Sequence, residues 1–495
     1  MGKREEFTAA AAPSTNAATP ATPAISASTG WAALCSGANG LRSLALAGGV
    51  ALHAMSVYVV ATVLPSVVRD IGGLDLYSWS TAIFIVASIA GSALAAGLLK
   101  RLGPRRAYAL SALVFATGAA LCALAPAMPV LLAGRLVQGF GGGVLCALAY
   151  SMIRVVFDEA LWPRAMALVS GMWGVATLIG PAVGGVFAEW GMWRASFWSV
   201  AGAATAFALL AAAVLPRNAA STSASASAAA PGNTATPKPQ LGLLIAVVLA
   251  VSAGSASTDP AWNLAGIVLA IGCGALLVRI ERRASNRLLP SGAFRPGSPV
   301  AKCYAILALL SLTVTSAEIF APLFLQVLHR QPPLAAGYLA ALMGAGWTLG
   351  ALACSGASGP NLRRLIVAGP LLELAGMLGL FALLPRESGG EWLALLPICT
   401  AMVALGLGVG VAWPHLLTRA LKAVPDAENA LAGASITTVQ LFATAAGAAL
   451  VGMLANAGGL VEPGGVAGTA QAARWVFGAL LLAPLGAALI ARRAA

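Results

Sequence analysis

Fourteen apolar runs, separated by short polar gaps, set the limits on what this chain can become. They fall at about 42–67, 78–99, 107–126, 129–153, 166–188, 195–215, 241–257, 262–280, 300–328, 334–354, 364–384, 391–418, 429–455 and 473–491. Folded as a helix, each is long enough to cross ~30 Å of hydrocarbon. The composition agrees. Only 9% of residues are charged, against about 25% in soluble domains, and the mean hydropathy is +0.87. These values fit only a polytopic membrane protein, with the lipid bilayer as its first partner.

The net charge of +13 does not indicate nucleic acid, because the basic residues sit in the gaps between apolar runs. Cytoplasmic loops collect Lys and Arg, and this bias orients the chain. With the N-terminus in the cytoplasm, Arg69, Arg194, Arg330, Arg386 and Arg474 fall outside and Arg135 lies within a span; the rest of the 29 Lys and Arg fall inside. Fourteen spans then put both termini in the cytoplasm of a bacterial-type inner membrane. The seven cysteines are scattered and show no CxxC spacing, so neither a disulfide framework nor a metal site is expected.

Low-complexity stretches divide the chain. Residues 1–38 are rich in Ala, Ser, Thr and Pro and read as a disordered cytoplasmic tail. Residues 42–215 hold six spans. Residues 216–240 repeat the composition of the tail and read as a flexible linker. Two further spans fill 241–280, a basic cytoplasmic segment fills 281–299, and six more spans fill 300–491.

Polar residues inside the spans are the candidate functional groups, since charges in hydrocarbon are costly and usually have a use. Arg135 and Gln138 lie three apart on the fourth run and share a helix face. The guanidinium either holds a carboxylate, a substrate anion or a proton-relay partner, or bonds to backbone carbonyls of a neighbouring helix. Glu318, inside the ninth run, must be protonated or paired, which suits proton coupling or cation binding unless it lies nearer the headgroups. Glu373 is a weaker candidate. His53, one turn from Ser56, either handles a proton near neutral pH or is a hydrogen-bonded neutral residue. Trp173, Trp347, Trp413 and Tyr150 either line an apolar cavity or pack in the core. Gly180-Pro181 with Gly184-Gly185 bends the fifth span and allows close helix contact. Gly139, Gly141, Gly142 and Gly143 lie inside a span with no strand before them, so they are packing residues, not a phosphate loop. GxxxxGK[ST], GxSxG and HExxH do not occur, which argues against ATP-driven or enzymatic chemistry.

Taken in order, these motifs resemble the major facilitator superfamily, and within it the fourteen-helix drug:proton antiporter branch. Leu131, Arg135, Gln138, Gly139, Gly141 and Gly142 match LxxxRxxQGxGG. Gly180, Pro181, Gly184 and Gly185 match GPxxGG, and Trp193, Arg194 and Phe197 match the WRxxF that follows. The extra spans at 241–280, the segment LLPSGAFR and PLFLQ, which ends in Gln326, also fit. The resemblance implies an all-α fold of two six-helix bundles, here with two additional helices, that rocks about a central cavity. It implies gating by Arg101, Gly103 and Arg105, which fit the loop motif GxxxDRxGRR, where Lys100 replaces the acid. The first-span motif DxTxxNxALP is kept at Leu64 and Pro65 but has Ser56 in place of its acid.

The expected function is secondary active export of small apolar or amphipathic compounds, with protons as coupling ion and no cofactor. Arg135, Gln138, Ser56, Tyr150 and Gln326 are expected at the cavity, and Glu318 or His53 is expected to carry the proton. The alternatives are an uncoupled or differently energised permease, prompted by Ser56 and Lys100, and a non-transporting scaffold or sensor. A monomer is compatible with such a fold.

Overall fold

The computed structural model describes residues 31–158, 161–215, 237–257, 259–354, 360–425 and 428–494. A short helix, α1 (Trp31–Cys35), precedes α2 (Gly37–Ile71), α3 (Trp79–Ala123), α4 (Met128–Val156), α5 (Trp162–Glu189) and α6 (Trp193–Val214). Two helices follow, α7 (Lys238–Ser255) and α8 (Pro260–Arg283). The last group is α9 (Pro299–Val327), α10 (Pro333–Cys354), α11 (Pro360–Leu383), α12 (Trp392–Lys422), α13 (Asn429–Ala457), α14 (Gly465–Leu480) and α15 (Leu482–Ala494).

Among the described residues, thirteen helices are long and apolar enough to cross a membrane. One of them is two crossings. Unbroken, the 45 residues of α3 would extend about 68 Å, over twice the thickness of the hydrocarbon layer. The helix reverses at Gly103, which has φ 73° and ψ 168°. Glycine tolerates that φ, and Pro104 after it removes a helical N–H donor and disfavours helix at the residue before. Fourteen crossings result, joined by tight turns. Asp259 and Ser298 cap α8 and α9 by accepting from Ala261 N and Ala301 N, and a proline follows each cap where its missing N–H costs nothing.

The turns at 72–78, 190–192 and 384–391 lie at one end of the bundle, called here the distal end. The Gly103 break and the segment 284–298 lie at the proximal end. Within the first group, α3 packs on α4 and α6, and α2 on α5. Within the last, α12 packs on α10 and α11, and α9 on α13 and α15. The α7–α8 pair lies against α13 and touches α3.

Small residues bring these helices into backbone contact. A Cβ at Gly139 would collide with Phe84 O, and one at Gly143 with Ser88 O, both on the first half of α3. Gly141 meets Phe115 and Ser111 on the second half of α3. The α4 glycines therefore serve packing, as their place in a span requires. Ser88 Oγ reinforces the seam by donating to Gly139 O at 3.0 Å. Gly406 and Gly410 of α12 lie against Met343 O and Trp347 O of α10 in the same way. Gly139→Val would force α3 and α4 apart. It should lower stability by at least about 1–3 kcal/mol, seen as a lower melting temperature and a smaller monodisperse yield from detergent. An unchanged melting temperature would contradict this packing.

Two boundaries differ from the sequence expectation. Residues 31–38 do not belong to a disordered tail. Apart from the extended Ser36 they are helical, and Ser43 Oγ donates to Leu34 O at 2.9 Å. The last crossing starts at Gly465 rather than 473 and is interrupted at Leu481. Its first turns pack on the loop after α13, where Gly468 meets Gly459. The basic segment before α9 is tied down: Arg282 donates to Phe294 O, Leu289 N to Glu281, and Ser291 to Glu428. Residues 1–30 and most of the 216–240 linker lie outside the described residues.

Candidate functional site

Arg135 is 1% exposed and Gln138 is equally buried. The arginine sits among α2, α3 and α4. Its Nη1 donates to Gln138 Oε1 at 2.6 Å and to Ser56 Oγ at 2.8 Å, and its Nε to Ser80 O at 3.3 Å. The guanidinium carbon lies 3.9 Å from the centre of the Phe84 ring. Arg135, Gln138 and Ser56 are thus brought together as a sealed polar knot within the first group of helices. No carboxylate pairs with Arg135 among the described residues. Its charge is met by hydroxyl, amide and carbonyl dipoles and a π face. Arg135 thus bonds a backbone carbonyl of a neighbouring helix, as one of its two readings had it, together with two neutral polar side chains.

His53 stacks on the other contact of that ring, 5.0 Å from Phe84, and meets Trp173 edge-on at 5.9 Å. Its Nδ1 is buried without a hydrogen-bond partner and faces Gly142, where a Cβ would come within 2.6 Å. The Gly142 position is what gives the imidazole room.

Glu318 lies elsewhere, on α9, and keeps partial exposure. It forms no hydrogen bond or ion pair with the described residues. It is close enough to Tyr58 of α2 to interact with it electrostatically. Tyr58 is packed by Gly180, where a Cβ would strike the Tyr58 side chain, and its carbonyl accepts from Thr62 Oγ1 at 2.9 Å. One turn before Gly180, Thr177 faces Gly344 of α10. Trp347 is one turn further along α10 and lies 5.5 Å from Trp413. Glu318 and Tyr58 therefore lie at the join between the two helix groups, and Trp173 of α5 and Trp347 of α10 lie one turn beyond the Thr177–Gly344 contact.

Toward the distal end the join is closed. Gly185 of α5 packs against Leu334 of α10, and Gly337 of α10 meets Thr62 and Pro181. Leu334 N donates to Glu189 at 3.1 Å, and Tyr338 OH to Leu178 O at 3.1 Å. Gly184 faces Val59 and Thr62 of α2. The Gly-Pro stretch thus performs close packing across the join itself. Gln326, expected at the cavity, sits in this distal seal: it accepts from Arg69 at 2.9 Å, and its Nε2 donates to Thr62 O at 3.4 Å. Tyr77 and Phe320 meet across the join at 5.2 Å.

Three expectations stand apart from both clusters. Tyr150 is near the proximal end of α4 and 38% exposed. Arg101 and Arg105 flank the Gly103 turn at the proximal end, without a hydrogen bond or ion pair to the described residues. Glu373 is fully buried against Gly408, beside Thr313, and neither of its oxygens has a hydrogen-bond partner. Sequence reading missed Asp70. Its Oδ2 binds Arg194 at 2.6 Å and accepts from Trp193 Nε1 at 2.9 Å, and this ties the end of α2 to the start of α6. The Trp193-Arg194 pair was the signal, but it did not point to its partner.

The comparisons with known proteins agree with this geometry. The profile of the Major Facilitator Superfamily matches residues 46–448. A Mycobacterium tuberculosis (strain H37Rv) protein named "Probable multidrug-efflux transporter" is 36% identical over 420 residues, spanning 84% of this chain and 87% of that one. Multidrug resistance protein 3 of Bacillus subtilis (strain 168) is 25% identical over 376 residues, covering 74% of this chain and 70% of its own. The crystal structure of the nucleoside transporter NupG superimposes with a TM-score of 0.63 at 12% identity, covering 91% of this chain and 99% of that one. A bacterial homologue of the lysosomal transporter Spinster, in its inward-facing form, gives 0.58 at 15% identity, covering 91% and 95%. At those identities the solved structures speak for the fold alone. The chain is an integral membrane protein and belongs to the Major Facilitator Superfamily of transporters.

Proposed function

We propose that the protein exports small apolar or amphipathic compounds by alternating access, in exchange for protons. The observation that carries this reading is Glu318. It is a carboxyl within a span, partly exposed and unpaired among the described residues, at the join that must open and close. A group there changes its surroundings whenever the halves rock, so its proton affinity differs between states. Without such a difference a proton could not drive the cycle. The relatives named for multidrug efflux support export, and Tyr58 beside Glu318, with Trp173 of α5 and Trp347 of α10, supplies apolar walls. Two six-helix halves, 42–215 and 300–491, are the moving bodies. The basic bias of the proximal loops makes that side cytoplasmic, with both termini, in a bacterial inner membrane. On this reading the distal seal is the outer gate in its closed state, and a monomer suffices for the cycle.

A second reading, an uncoupled permease, is favoured by one contact: Arg135 binds the Ser56 hydroxyl, not an acid. Purified protein in proteoliposomes decides between the two. With a lipophilic fluorescent dye as cargo, an imposed pH gradient should drive accumulation beyond equilibrium. Dye movement that only equalises concentrations, whatever the gradient, would establish the permease.

A further inference from the structure

We propose that the inserted α7–α8 hairpin is a working part of the distal gate, and that Asn456 is the positioning residue joining it to both halves when the gate is shut.

Asn456 lies in the last turn of α13 and is 4% exposed. Its Nδ2 donates twice, to Asp75 O at 2.9 Å and to Ser255 O at 2.8 Å. Asp75 belongs to the turn between α2 and α3, in the first half; Ser255 ends α7 of the hairpin. One amide thus holds three bodies, and it uses both of its N–H groups to do so. One turn earlier on α13, Gly452 packs against Ser78 Oγ, with Ser255 Oγ 3.9 Å from where its Cβ would be. Ser78 and Ser255 are both buried. The apex of the hairpin is fixed on α13 as well: a Cβ at Gly254 would lie 3.0 Å from Met453 Cε and 3.1 Å from Gly266 of α8. Together with Tyr77 against Phe320, these contacts complete the seal on the side opposite the α5–α10 seam.

Opening the distal side must carry Asp75 and Ser78 away from Asn456 and Gly452. The hairpin packs chiefly on α13 and so travels with the second half. Asp75 O is then the bond that breaks, and Ser255 O is the bond that keeps the amide aimed at it. Removing the amide leaves Ser255 O without its donor in both states, but it leaves Asp75 O buried and unpaired in the closed state only, which weighs against that state.

The test measures the distance between spin labels at Met192→Cys and Glu387→Cys, exposed distal-turn residues of the two halves. The full chain is used, with its seven native cysteines replaced, in lipid nanodiscs. Asn456→Ala should shift the distribution toward the long, distally open distance by about tenfold in the population ratio. Asn456→Asp keeps the shape but loses both donors, and should shift it at least as far. Gly254→Leu leaves Asn456 in place, wedges a large side chain between α7, Met453 of α13 and Gly266 of α8, and should shift it in the same direction. A lower melting temperature with unchanged distance populations in Asn456→Ala would reduce Asn456 to a fold-supporting residue. A shift in Asn456→Ala with none in Gly254→Leu would remove the hairpin from the gate. Either result overturns the proposal. Neither measurement requires cargo or a pH gradient, so it stands apart from the proton-coupling reading.

Discussion

Glu318→Gln should abolish accumulation driven by a pH gradient while the protein still inserts and still exchanges dye down its gradient. Gln matches Glu in size and keeps hydrogen-bonding capacity, but it cannot take up or release a proton. If one proton is exchanged per cargo molecule, each unit of pH gradient supplies about 1.4 kcal/mol, a tenfold concentration ratio. A variant without the carrier loses that whole factor. Binding of a neutral cargo should persist, because Tyr58 and the tryptophans remain. The loss therefore appears in the driven rate and not in the equalising one. Unchanged accumulation in Glu318→Gln would move coupling to another titratable group. His53 is the next in line, with its free Nδ1 in the first half.

The fold was legible because it follows from solvent. Apolar runs of spanning length leave a chain little choice, and Gly103-Pro104 marked the break in α3. The ends of helices were less legible. The first residues of α14, GVAGTAQAAR, are helical beyond the apolar stretch because they pack on the loop after α13, and no hydropathy pattern reports that. Arg135 stood out from its cost in hydrocarbon, but its contacts did not. Ser56, Ser80 and Phe84 lie 79, 55 and 51 positions away along the chain. The glycines of α4 and α5 read correctly as close-approach sites, yet only the structure separates those that fasten one half from those, such as Gly185, that meet the other. Gln326 read as a cavity residue and not as part of a seal, and Asn456 had no legible role. A polar residue near the end of a span looks like an interfacial anchor until its partners from the other half are known.

Arg135→Lys should be nearly as damaging to stability as an apolar truncation. The guanidinium presents a rigid planar fork that serves three acceptors and lies flat on Phe84. An ammonium on a different stem offers three donors in a tetrahedral arrangement, without the plane. It would leave Ser80 O or Gln138 Oε1 unmet in a site that admits almost no water. A buried unmet acceptor costs about 1–3 kcal/mol, and loss of the stacked face adds about 0.5–2 more. A fall in melting temperature of several degrees in detergent would register this, and an unchanged value would count against the knot. Arg135→Ala should fall further, since a cavity opens as well. The double variant Arg135→Met with Gln138→Leu removes the charge and its main acceptor together. Apolar groups replacing both partners of a buried pair come near to neutral, so melting should recover toward the wild-type value. Transport should not recover. Among the described residues, the knot is the one place where α2, which carries Tyr58 toward Glu318, is bonded through polar groups to the α3–α4 seam. If the double variant transports normally, Arg135 is only an expensive way of filling a core; if it melts normally but does not transport, the arginine sets the position of α2 at the join.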